Sequence, residues 1–121
     1  MVLNLTQHKA SADQVQAGVF DPTGEDAEKM RGLLTFQDLP MKGNIEEKAE
    51  ELADLALRVA GRRKKVMIGG APYLMSPLER ELKARGLTPV YAFSQRVSEE
   101  KEVDGEVVKT QIFKHLGFVE V

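Results

Sequence analysis

Three short runs constrain this chain more than any other feature: "VLNL" at residues 2–5, "VMI" at 66–68 and "VYAF" at 90–93. They are largely apolar on consecutive residues rather than in alternation, and strands of that kind are covered on both faces, as in a parallel sheet. Parallel neighbours cannot be joined by a tight turn, so the intervening chain must supply crossovers. It has the right pattern to do so. Ile45, Ala49, Leu52, Ala56 and Val59 recur along one helical face up to Gly61, and Asn44 with Glu47 reads as an Asn-led capping box in front of them.

The remaining elements are shorter. Ser11 and Gln14 form a Ser-x-x-Gln capping box, which predicts a helix from about Ala12 to Ala17. Asp21-Pro22-Thr23-Gly24 is turn chemistry, followed by a short helix in "EDAEKMRGLL" and a short strand around Leu34 to Phe36. Pro72 suits the first position of a helix, and Ser76-Pro77-Leu78-Glu79 is itself a capping box, so a kink or restart at Pro77 is expected before the helix ends at Gly86. Asp104-Gly105 is a hairpin turn between residues 96–102 and a long strand over 106–121. The expected fold class is α/β, one domain over residues 1–121, with a mainly parallel sheet finished by a C-terminal antiparallel β-hairpin.

Composition narrows the chemistry. A chain of 121 residues with net charge -2 lacks the broad basic face that tracks duplex nucleic acid, although a short or cyclic nucleotide needs only a few local cations. No apolar run is long enough to span a bilayer, and "MVLNLTQHK" lacks the charged and apolar regions of a secretory leader, so a cytoplasmic protein without a membrane partner is expected. With no cysteine and only His8 and His115, disulfides, thiolate metal sites and a cysteine nucleophile are excluded, and no metal or cofactor is expected. Hydroxyls, carboxylates, cations, two imidazoles and backbone amides are what is left.

In an open parallel sheet, ligands bind beyond the carboxyl ends of the strands, where strand order reverses. Three segments are expected to leave strands at that edge: Thr6-Gln7-His8, Gly69-Gly70-Ala71-Pro72 and Ser94-Gln95-Arg96. Without side chains, Gly69 and Gly70 let backbone amides approach a phosphate, and the following helix adds partial positive charge; the same turn is also the tightest route from strand to helix. No GxGxxG spacing and no P-loop lysine accompany it. His8 is a candidate general base, Arg96 a candidate bidentate phosphate ligand, and alternation puts His115 on one face with Lys109, Gln111 and Phe113. Loop histidines and strand-end arginines also occur as ordinary solvated groups.

Taken together, "NLTQHKASADQVQAG", "VMIGGAPYLM", "GLTPVYAFSQR" and "DGEVVKTQIFKHLGFVEV" resemble the small CRISPR-associated proteins of the CARF type, a ring nuclease group. The resemblance covers about two thirds of the chain by eye, is most specific in the C-terminal third, and leaves Gly18 to Gly61 outside it. It implies a Rossmann-like, CARF-like three-layer sandwich and a homodimer that binds a cyclic oligoadenylate across its two-fold axis. It further implies metal-independent cleavage by in-line attack of a ribose 2′-hydroxyl. By position, Thr6 and His8 would lie near ribose and base, Gly69, Gly70 and Ala71 on the phosphate, and Ser94 and Arg96 on the phosphate or leaving oxygen. Lys109 and His115 would reach in from the hairpin as cation and acid, making His8, Arg96 and His115 the catalytic candidates. Two other functions fit the same residues: a non-catalytic nucleotide sensor or sponge, and an interaction domain with no small ligand.

Overall fold

A computed structural model describes residues 1–121 throughout. Strand β1 (Val2–Leu5) is buried at all four positions. Helix α1 (Ala12–Gln16) follows, opened by the predicted box: the Gln14 amide donates to Ser11 Oγ at 3.2 Å and the Ser11 amide to Gln14 Oε1 at 3.1 Å. Then come β2 (Val19–Phe20), α2 (Gly24–Leu34), α3 (Lys42–Ala60), β3 (Lys65–Ile68), α4 (Pro72–Ala84), β4 (Thr88–Val103) and β5 (Glu106–Glu120).

The strands form one mixed sheet in the order β2-β1-β3-β4-β5. β1 pairs in parallel with β2 and β3, β3 pairs in parallel with β4, and β4 pairs antiparallel with β5. The fold is therefore α/β with mostly parallel strands and a C-terminal hairpin. Because successive strand residues point to opposite faces, the core divides in two. Leu3, Leu5, Val66 and Ile68 meet the buried stripes of α2, α3 and α4, including Met30, Leu52, Leu55, Leu74, Leu78 and Leu82. Each such leucine contributes about 1.5–3 kcal/mol on burial, which makes this face the main source of stability. Val2, Val19, Met67 and Val90 face the other way and form a smaller cluster, with Ala10, on the approach to α1, and Phe118 packed against it.

Four expectations are corrected. No strand forms around Leu34 to Phe36, where Leu34 ends α2 and Thr35 and Phe36 lie in the loop after it; the sheet edge is the two-residue β2 instead, too short to register as a pattern. Asn44 lies in the first turn of α3 rather than at its cap, and its Oδ1 accepts from the Met41 amide at 3.3 Å, so the helix begins earlier, at Lys42. Pro77 neither ends nor restarts a helix: α4 runs through it, forgoing one backbone hydrogen bond while Leu74, Met75, Leu78 and Leu82 hold the helix against the sheet. Finally, Ser94, Gln95 and Arg96 do not leave a strand. They are interior rungs of β4, opposite His115, Lys114 and Phe113, and the strand runs on to Val103. Asp104 (φ 52°) and Gly105 (φ 81°) close the hairpin with both residues at positive φ, the geometry that matches the twist of the flanking strands.

Candidate functional site

Strand order reverses between β1 and β3, since the chain leaves β1 towards β2 and leaves β3 towards β4. A cleft of about 410 Å³ opens at that point, lined by Thr6, Gln7, His8 and Lys9 from the first loop, Gly69 and Gly70 from the second, and Tyr91 and Ala92 of β4, with Gln14, Met67 and Ile68 completing it. Two of the three expected segments thus converge.

The first loop is shaped by a residue the sequence reading passed over. Asn4 is 1% exposed in the middle of β1. Its Nδ2 donates to the His8 carbonyl and to Asp21 Oδ1, both at 2.7 Å, and its Oδ1 accepts from the Thr6 amide at 3.0 Å and the Thr6 hydroxyl at 2.6 Å. Asp21 Oδ1 also accepts from the Ala10 amide at 3.1 Å. The Thr6-Gln7-His8 turn is therefore folded around one carboxamide, which also ties it to the segment after β2. Gln7 is a strut as well: its Nε2 donates to the Leu34 carbonyl at 3.2 Å and Thr35 Oγ1 at 3.1 Å. His8 and Lys9 remain exposed on the cleft wall.

The second loop is Gly69-Gly70, with Ala71 at the cap of α4 and Pro72 in its first turn, just behind the cleft rather than on its wall. Gly70 has φ +141°, open to glycine and rarely adopted by other residues. Gly69 is not in that region, and a Cβ there would sit 3.7 Å from Thr6 Cγ2, an ordinary contact. The fold itself therefore demands a glycine at 70 but not at 69.

On the third wall, the Tyr91 hydroxyl donates to Glu79 Oε2 at 2.6 Å. Burial pushes the Tyr91 phenol well above its usual range, and the hydrogen bond and charge of Glu79 add to this. With the folded value raised, the stabilisation is complete below the unfolded phenol's value of about 10 and is lost as pH climbs beyond it. Tyr91→Phe is expected to cost about 1 kcal/mol at neutral pH, after allowance for solvent screening, and to flatten the fall in stability above pH ~10. Urea unfolding at several alkaline pH values checks this; parallel curves for the two proteins would remove Tyr91 from the account.

His8 and Lys9 bring cationic or proton-carrying groups to the cleft, and none of the eleven lining residues is a carboxylate. Ser94, Gln95, Arg96, Lys109 and His115 stand away from it on the hairpin. The Arg96 guanidinium lies 5.3 Å from the Phe113 ring centroid, and Lys109 faces Glu100 at 3.9 Å. The His115 ring packs 4.8 Å from Phe118, and both its nitrogens are shielded without a partner. A broader depression of about 670 Å³ lies between α2 and α3, but Lys48 there is committed to the Thr35 carbonyl at 2.6 Å and to the Phe36 ring at 4.2 Å. No three His, Asp or Glu side chains gather where they could hold a metal, and no helix is long and apolar enough to cross a membrane.

The model of the Uncharacterized protein MJ1673 family matches residues 1–119, hence both loops of the cleft and nearly all of the hairpin. The chain belongs to that family. No curated protein and no solved structure matches it. Asn4, Lys9 and Tyr91 are the site residues the sequence reading missed. A lone amide inside "VLNL" was the available signal for Asn4, because a buried carboxamide must find partners.

Proposed function

We propose that the β1/β3 cleft is a nucleotide-binding site for a cyclic oligoadenylate or a related phosphate-bearing nucleotide, on a Rossmann-like, CARF-like fold acting in the cytoplasm. The reading is carried by one observation: the Gly69-Gly70 turn faces the Thr6–Lys9 loop at the reversal point of the sheet, with His8 and Lys9 on the wall and no carboxylate among the lining residues. At about 410 Å³ the cleft lies near the lower end of small-ligand sites, room for about one nucleotide unit. A ring of several units would have to be shared between two copies.

The separation of Arg96, Lys109 and His115 from the cleft favours binding over turnover. Cleavage is the second reading, favoured by His8 as the cleft's one imidazole: holding a ribose 2′-hydroxyl in line with its own phosphate is a positioning task, and His8 would take the proton.

Calorimetric titration with cyclic tetra- and hexa-adenylate, followed by chromatography of the same samples, tests both. Binding is expected, weakened about tenfold by Lys9→Ala and by His8→Ala, as for loss of one charge-assisted contact. Intact ligand assigns a sensor or sponge. Linear products assign a ring nuclease, in which case His8→Ala should depress turnover more than affinity while His115→Ala does neither. An absence of heat with any nucleotide would overturn the proposal and leave an interaction domain.

A further inference from the structure

The cleft has two carboxamides on its wall, and the fold uses them in opposite senses. Gln7 is anchored by its nitrogen, which donates to the Leu34 carbonyl and Thr35 Oγ1 on the side of α2. Gln14 is anchored by its oxygen. Its Oε1 accepts from the Ser11 amide at 3.1 Å, while its backbone amide donates to Ser11 Oγ at 3.2 Å. A backbone N–H can be met only by an acceptor, so the capping box fixes which end of the Gln14 side chain is oxygen. Nε2 donates to no group of the chain, which leaves two hydrogens available beside the cleft.

Next to Gln14 the wall is apolar. Met67 and its strand partner Val90 belong to the smaller core cluster, on the sheet face against which Ala10 packs, and Ala92, two residues beyond Val90, shares that face. Met67, Ala92 and Gln14 line the cleft together. Apolar side chains with a few placed polar groups are what orient a flat ligand. With a phosphate at the Gly69-Gly70 turn, the base of the same nucleotide has Met67 and Ala92 to lie against and the Gln14 nitrogen at its rim.

Donors and acceptors then decide which base fits. Guanine carries two adjacent acceptors, O6 and N7, on one edge, whereas adenine sets the N6 amino donor beside N7. A carboxamide reads adenine in the bidentate fashion only when its oxygen and nitrogen both lie along that edge. The Gln14 oxygen is drawn back to the Ser11 amide, so the nitrogen leads.

We propose that Gln14 makes the cleft selective for a base with paired acceptors, guanine or another 6-keto purine, over adenine. This selectivity rests on the nucleotide reading of the cleft and narrows it: adenylates bind through their phosphate, guanylates through phosphate and base.

Calorimetry with guanosine, inosine and adenosine 5′-monophosphates, on wild type and on Gln14→Glu, tests it. Inosine shares O6 and N7 with guanosine but lacks the N2 amino group. Wild type is expected to bind the guanosine and inosine nucleotides alike and the adenosine nucleotide about tenfold more weakly, as for one hydrogen bond lost and one donor left facing another. Gln14→Glu keeps the capping box, because a carboxylate oxygen still accepts from the Ser11 amide, but it replaces the free donor with an acceptor. All three affinities should fall, since a negative charge then lies near the phosphate, and their order should reverse in favour of adenosine. Unchanged thermal unfolding shows that the cap is intact. Equal binding of the guanosine and adenosine nucleotides by wild type would overturn the proposal while leaving the nucleotide site in place. So would a guanosine preference that inosine does not share, or one that Gln14→Glu leaves unaltered. If none of the three binds, the nucleotide reading itself fails, and the selectivity with it.

Discussion

An Asn4→Leu variant is expected to lose about 2–4 kcal/mol of stability and, with it, the shape of the cleft. Leucine keeps much of the volume but makes none of the hydrogen bonds, and Asn4 spends its whole capacity: two donated bonds and two accepted ones. The Thr6 amide loses its acceptor, and the Asp21 carboxylate keeps only the Ala10 amide. Asn4→Asp preserves shape yet sets a second carboxylate beside Asp21, so at neutral pH it should recover little of the loss. Urea unfolding of the three proteins decides the matter. A cost for leucine below ~1 kcal/mol would mean that the loop is held by something other than Asn4.

The two glycines of the second loop should part company. Gly70→Ala forces a Cβ into a conformation at φ +141°, and although Met75 Cε is 3.9 Å away and nothing clashes, the backbone strain is expected to cost about 1–3 kcal/mol. Gly69→Ala meets neither strain nor crowding, so its stability should stay within ~0.5 kcal/mol of wild type. Its added methyl instead narrows the cleft beside Thr6, and nucleotide affinity should fall by about tenfold or more where the backbone must touch a phosphate. Thermal unfolding and calorimetry on both variants separate the effects. If Gly69→Ala binds as wild type does, the turn is only a route from strand to helix.

What could be read from the sequence divides along a physical line. Features decided by neighbours in the chain were legible: Ser11 and Gln14 cap α1, and Asp104-Gly105 turns the hairpin, because both depend on local backbone chemistry. Two of the three consecutive apolar runs, at residues 2–5 and 66–68, became parallel strands buried on both faces, because such burial leaves its mark residue by residue, whereas in the third only Val90 is buried and Phe93 is 55% exposed. Features decided by distant partners were not legible. The end of the apolar run at Phe93 looked like the end of β4, yet β5 keeps pairing with residues that are no longer buried, since a backbone ladder is indifferent to side-chain polarity. That error brought Ser94, Gln95 and Arg96 to the sheet edge on paper. Asn4 was hidden for the converse reason, because its partners lie in the loop after β1 and in the segment after β2.

The place of β1 in the sheet bears on the order in which the molecule can be assembled. The earliest strand in the chain is an interior one, held on one side by the two rungs of β2 and on the other by four rungs of β3. Until Lys65–Ile68 has formed, Val2–Leu5 has one short neighbour, and Leu3 and Leu5 have no strand partner in Val66 and Ile68. Closing the long loop from β1 to β3 carries an entropic cost that only then is offset by pairing and burial. The cleft, which needs the ends of both strands, is consequently among the last features of the body to exist, and a chain halted before β3 has none of it.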